Sequence, residues 1–600
     1  MSIALGSASH PRWGRTYPHY TASYTNEVAT ALLDTDSDKV SNMRSQASKT
    51  INRISEIDRL STVQDRESIT SYITLSMLRD LLEILKIPAQ FHSVGEAKLV
   101  SGCVALMALV APSPLQYEYG YVSFRILVFA VNSCLLKHAG CLNETIANMN
   151  TLSTSKRHSA FWENSAALVA RECTGGKKLQ GIIAATSLSS RVLNCLLQLL
   201  DADQKRFLVV SKMTCSLGLS GLMFLFFKHL QVDQHRYTSN EEIHAQIIGP
   251  YSRVFWRYLL VTPDFPHEEE AIICVHNQLG PHAKLNNNKC VDLEDSRNLI
   301  QAYLDRFESS QPMSIIRACA MIRFVTPLVT PGCESLVPRM IERGIQMLWN
   351  SLISAEDDPE MMRYSVYIML SYFCDIFKAL KPKGLGHQPW ISEITDHIVE
   401  GDLVDLILRT MLTLSHYGAT NPGSTEAKLF DCAVVLFIEL HKLAPHINLF
   451  LRFYDSGIFG DWTKCILHFF RPRTACMAQE VSRYFPIEQV CGQIVTGILD
   501  AIAGSEWQDL LRDLLGSCDN PRCPMPFNAT FTCSECMDMV YCSEECLVMD
   551  WLYVWQSPHR RVCKYQAQQP PNIRKRYHHI IEMPEGVRMG ISKANDAAPR

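Results

Sequence analysis

The feature that most restricts how this 600-residue chain can fold is a run of potential metal ligands near its end. It reads Cys518-x4-Cys523-x9-Cys533-x2-Cys536-x5-Cys542-x3-Cys546-x12-His559-x3-Cys563. Pairs spaced two to four residues apart let one turn present two ligands to one metal, and eight soft ligands make two tetrahedral zinc sites. The cluster spans 46 residues and holds few large aliphatic side chains, too little for a hydrophobic core of its own. Metal binding would therefore supply its folding energy, about 10–16 kcal/mol per structural zinc in zinc-finger peptides.

The other cysteines, such as Cys103, Cys215 and Cys432, are scattered singly through apolar stretches and read as buried thiols, not as a disulfide framework. The first twenty residues lack an apolar signal-peptide core, which argues for an intracellular protein, cytoplasmic or nuclear. A composition 47% hydrophobic and 9% aromatic, with a net charge of −4, describes a globular chain without a bias toward nucleic acid or membrane. The most apolar run, Phe207 to Phe227, contains Lys212 and is then uninterrupted only from Met213, short of the roughly twenty residues that span a bilayer. It is expected as a buried helix.

From residue 41 to 516 the pattern is helix after helix separated by short breakers. Apolar residues recur at helical spacing from Ile69 to Leu85, with Pro88 as the stop, and again from Leu403 to Leu414. Ser424 or Thr425 caps a third run that Pro445 closes; it is apolar on nearly every side and is expected to be central. Such content suits a mostly α body, either an armadillo/HEAT-like solenoid or a helical bundle. The expected order is a flexible segment over 1–40, the helical body over 41–516, the metal-binding module over 517–564 and a flexible basic tail over 565–600. The stretch Thr262 to Cys290, with His267, His276 and His282, reads as a polar loop flanking a short helix, without metal-ligand spacing.

Catalytic motifs fail on inspection. The His267-Glu-Glu-Glu-Ala271 stretch lacks the second histidine of a zinc-protease helix, and the phosphate-loop fragment at Thr174 to Lys178 lacks both the first glycine and the final hydroxyl. No catalytic residue or organic cofactor is expected.

The cysteine cluster resembles a MYND zinc finger. The resemblance rests on Tyr541 before the fifth cysteine, Asp550-Trp551 after the sixth and the closing His-x3-Cys, and it covers Cys518 to Cys563 only. It implies that Cys518, Cys523, Cys542 and Cys546 hold one zinc, and that Cys533, Cys536, His559 and Cys563 hold the other. It further implies docking of proline-containing peptides of the Pro-x-Leu-x-Pro type at Ser534 and Trp551. Leu547 stands where the family has a groove glutamine. Trp551 has two roles open, a wall of the groove or a cover over the zinc core. The insert Leu552 to Pro558 is expected to extend the helix that carries Trp551 and to add Trp555 one turn on.

With both zinc ions bound the module would carry a net charge of about −5, a poor partner for a phosphate backbone. Eight ligands also leave no coordination position open for a catalytic water. The expected function is a zinc-binding adaptor: protein partners, no membrane, nucleic acid disfavoured at the finger, and no enzymatic activity. The alternatives are a lysine methyltransferase-like enzyme of the kind associated with MYND fingers, or a transcriptional regulator.

Overall fold

The computed structural model describes residues 9–25, 38–57, 72–110, 112–174, 188–233, 239–279, 291–308, 313–354, 358–380, 388–412, 424–444 and 446–456. In the C-terminal region it describes 518–520, 523, 529–534, 536–537, 539–552, 559, 563 and 580–581. Helices dominate these residues, and the chain divides into two compact units, Met1–Pro312 and Met313–Arg600.

The first unit opens with a hairpin, β1 (Ser9–His10) and β2 (Gly14–Arg15), followed by α1 (Tyr17–Tyr24) and α2 (Asp38–Glu56). Residues 9–25 and 38–40 are thus ordered where the sequence suggested a flexible segment through residue 40. Then come α3 (Leu75–Ile84), α4 (Ala97–Ala108), α5 (Glu118–His138), α6 (Leu142–Thr151), α7 (Thr154–Thr174), α8 (Ser190–Ala202), α9 (Gln204–Met213), α10 (Leu219–Asp233), α11 (Gly249–Val261), α12 (Pro266–Leu279) and α13 (Leu293–Asp305).

The axis of this unit is α5. Every residue from Glu118 to Leu136 is buried, and α3, α4, α6, α7 and α10 pack around it. By length and composition α5 could cross a membrane, but its apolar surface is wholly enclosed by protein. Its polar side chains accordingly find internal partners: Arg125 Nη1 donates to Leu217 O at 2.9 Å, and Asn132 Nδ2 donates to Gly218 O at 2.8 Å. α7 also packs on the distant α12, so helices far apart in sequence meet within this unit, and the body is mostly α as expected.

Three expectations change. The apolar run Phe207 to Phe227 is two helices, α9 and α10, because Gly218 turns the chain at φ +82° with the Trp162 ring so close that a Cβ would lie 2.1 Å from it. Within Thr262 to Cys290 the helix is longer than expected: α12 runs fourteen residues and buries Glu268, Ala271, Ile272 and Val275. His282 and Cys290 of that stretch lie outside the described residues. The third change is at α3, which begins at Leu75, where the Thr74 side chain caps Met77 N; Ile73 is buried ahead of the helix, and Ile69 lies outside the described residues.

In the second unit the helices are α14 (Ile315–Val325), α15 (Val337–Ser354), α16 (Pro359–Ala379), α17 (Pro389–Glu400), α18 (Leu403–Leu412), α19 (Thr425–Leu443) and α20 (His446–Asp455). Ser424 caps α19 through Ala427 N. That helix packs chiefly on α16 and buries one face, Leu429, Ala433, Leu436 and Leu440, while Ile438 is exposed, so it is less central than its composition suggested.

One buried carboxylate fixes the N-terminal segment to α5. Glu118 accepts from Arg15 Nε (2.8 Å) and Nη2 (2.8 Å), from Tyr24 Oη (2.8 Å), and from Arg79 Nε (2.8 Å) and Nη2 (2.6 Å). Burial alone would raise its carboxyl; the hydrogen bonds from Arg15, Arg79 and Tyr24 outweigh that and hold it at about 2. A carboxyl depressed in the folded state stabilises the fold above its unfolded value, and this contribution fades as pH falls toward 2. Glu118→Gln should therefore cost about 2–3 kcal/mol at pH 7, below the ~3–5 kcal/mol of a fully buried pair because both arginines keep solvent access. In urea melts the wild-type advantage should shrink progressively below pH 4.5, the ordinary glutamate value.

Candidate metal centre

The two ligand groups are assembled by backbone turns, not by a hydrophobic core. β3 (Phe531–Cys533) pairs antiparallel with β4 (Val540–Tyr541), Phe531 opposite Tyr541 and Thr532 opposite Val540. The turn between them carries Cys533 and Cys536. It closes through Met537 N to Cys533 O at 2.9 Å and Cys533 N to Met539 O at 3.0 Å, and Met537 takes a left-handed φ of +61° to do so. Asp519 ties the first cysteine segment to β4: its N donates to Val540 O at 2.7 Å, and its Oδ2 accepts from Val540 N at 2.5 Å. α21 (Glu544–Leu552) follows β4 and supplies Cys546 from its first turn.

These elements gather Cys518, Cys523, Cys542 and Cys546 into one group and Cys533, Cys536, His559 and Cys563 into a second, with all ligand atoms of a group within 4.8 Å of one another. The groups interleave along the chain, so each metal braces segments that flank the other. Four ligands at tetrahedral corners about 2.3 Å (sulfur) or 2.0–2.1 Å (nitrogen) from zinc stand roughly 3.5–3.8 Å apart. The Sγ separations are 3.3 Å for Cys523–Cys542, 3.5 Å for Cys542–Cys546 and 3.8 Å for Cys533–Cys563, and Cys536 Sγ lies 3.6 Å from His559 Nε2. Two zinc ions fit these residues.

The electrostatics agree. Burial, then crowding by Cys546 and Cys523, pushes the Cys518 thiol well up, against two backbone hydrogen bonds that favour its thiolate. A dication among the sulfurs reverses that balance and makes four thiolates the stable state.

The surrounding residues are as informative as the ligands. Tyr541, fully buried, donates its hydroxyl to Asp550 Oδ2 at 2.9 Å and packs edge-on against His559 at 6.0 Å between centroids. Trp551 is buried and also meets His559 edge-on, at 5.5 Å. It thus covers the second quartet, the alternative role left open for it by the sequence. Ser534 stands one residue after Cys533, with its Oγ buried and lacking a hydrogen-bond partner among the described residues; Trp551 Nε1 is in the same condition. Leu547, at the place of the family's groove glutamine, is fully buried and belongs to the small apolar cluster with Val540 and Tyr541. A glutamine there would be buried as well, so the exchange serves packing at this position. Trp555 and the insert from Tyr553 to Pro558 lie outside the described residues.

One contact was not read from the sequence. β5 (Ile580–Ile581), from the segment expected to be a flexible tail, pairs in parallel with β3 at Thr532 and Cys533. Its only sequence signal is a pair of adjacent β-branched residues.

The Tyr541–Asp550 bond supports the second quartet without touching metal. Tyr541→Phe should remove one hydrogen bond to the buried Asp550 carboxylate, at a cost of about 1–3 kcal/mol. Zinc content should stay unchanged while release of zinc to a chromogenic chelator speeds up.

Residues 517–563 match the MYND finger family. No curated protein and no solved structure gives a significant match to the chain. The ligand quartets, their interleaving and the family match coincide on the same residues: the C-terminal region of this chain contains a MYND finger, a zinc-binding protein-interaction module with two zinc sites.

Proposed function

We propose that this protein is an intracellular adaptor: its finger docks proline-containing peptides, its helical body acts as scaffold, and it performs no catalysis of its own. The observation that carries this reading is the closure of both quartets. Each metal would have four protein ligands, so neither zinc has a position for substrate or water, and the working part of the finger is its surface. On that surface Met549 and Leu552, one turn apart on α21, are 53% and 45% exposed. Extended proline-containing segments suit such a small apolar face because they lose little entropy on docking. Any peptide that adds a strand to β3 on the side away from β4 must compete with Ile580–Ile581.

Fluorescence polarisation with a labelled Pro-x-Leu-x-Pro peptide on the zinc-loaded full chain tests the proposal. Saturable micromolar binding is expected, weakened about tenfold by Met549→Asp with zinc content unchanged, as the loss of roughly 1.4 kcal/mol of apolar contact would give. No binding by the intact, zinc-loaded chain would remove peptide docking from the account.

A further inference from the structure

The Glu118 cluster has a second side, facing solvent. A cavity of about 460 Å³ lies between the N-terminal hairpin and the start of α3, lined by His10, Arg12, Gly14, Arg15, Thr74 and Arg79 among others. Among the described residues its lining contains three arginines and no acidic residue. Glu118, beneath Arg15 and Arg79, balances only one of these charges, and its capacity is exhausted: two carboxylate oxygens already accept five hydrogen bonds, against about four lone-pair sites. Arg15, whose Nη1 also donates to Ser23 Oγ, and Arg79 nevertheless keep 35% and 44% of their side-chain surface exposed, and both line the cavity. Arg12 makes no ion pair among the described residues; its guanidinium lies 4.4 Å from the Trp13 ring centroid, which positions it without neutralising it. Among the described residues this leaves three cations against one anion, a local excess close to two positive charges.

We propose that this cavity binds a phosphate monoester carried on a peptide segment of a partner protein. The charge excess matches the roughly −1.5 to −2 of a phosphorylated side chain at neutral pH better than the single charge of a carboxylate. Planar guanidinium forks suit tetrahedral phosphate oxygens, and Glu118 holds two of them in fixed orientation before any ligand arrives. The space exceeds what a bare phosphate needs and leaves room for the residue that bears it. Apart from His10 the lining has no aromatic ring on which a nucleobase could stack, and Trp13 is already engaged by Arg12, His10 and Tyr119. The first turn of α3, capped by Thr74, opens on the same cavity and adds its dipole to the field. This site is independent of the zinc finger, and it would give the helical body its own, modification-dependent partner.

The test uses the zinc-loaded full chain and a fluorescein-labelled heptapeptide with one central phosphoserine in an Ala/Gly background. Expected are saturable binding of the phosphopeptide, no saturation with the unphosphorylated peptide, and a loss of about tenfold for Arg12→Ala, the effect of one charge-assisted contact. Because Arg12 takes no part in the Glu118 cluster, this variant should melt with the wild type, which separates lost binding from lost folding. Equal affinity of the two peptides, or wild-type affinity in Arg12→Ala, would overturn the site. Displacement of the phosphopeptide by inorganic phosphate or by an oligothymidine at equal phosphate concentration would overturn the assignment to a peptide.

Discussion

Four ligands, most of them thiolates, cannot share a buried volume less than 5 Å across unless a cation stands between them. The C-terminal region is organised by that requirement. Three short strands, one nine-residue helix and a turn forced through a left-handed methionine would not persist as an isolated fold, since each buries too little apolar surface. Metal coordination replaces the missing core, and the interleaving of the quartets makes the two sites interdependent. The few buried side chains that are not ligands, Leu547, Val540, Tyr541 and Trp551, act as a lining for the metal sites rather than as a core in their own right.

The helical body obeys the opposite logic. In the first unit α5 is enclosed by five helices, and stability comes from apolar burial along its whole length. Its largest polar groups are committed: Arg125 and Asn132 satisfy the carbonyls at the α9–α10 turn, and Glu118 draws the N-terminal hairpin, α1 and α3 onto the start of the helix. The same carboxylate that anchors the segment also orients Arg15 and Arg79 at the rim of a cavity, so structure and binding potential share one set of residues.

How much of this was legible in the sequence follows from the range of the forces involved. Zinc imposes short, fixed ligand spacings, and so the eight ligands could be read directly from Cys518 to Cys563. Helix periodicity gave the body, and the Ser424 cap was visible because capping is local. The Glu118 cluster was not legible: Arg15 lies 103 residues away and Arg79 39, and nothing in a local window links them. The break at Gly218 was hidden by composition, since an apolar run looks continuous whether or not a glycine turns it. Leu547 was read only against the family pattern, as a lost contact; the structure shows it as a packed core residue. α12 was undervalued because its acidic start looked like a loop, whereas Glu268 is buried and bonded to Ser220 and Tyr258.

The central claim is that metal, and not a hydrophobic core, holds the finger together through two interdependent sites. The most direct measurement is native mass spectrometry of the reduced full chain during stepwise addition of a zinc chelator, with near-ultraviolet circular dichroism of the tyrosine and tryptophan bands followed in parallel. The account predicts two zinc ions per chain at the start and loss of the finger's aromatic signal as they are removed. A folded, reduced chain carrying fewer than two zinc ions, or one whose aromatic signal survives complete removal, would contradict it.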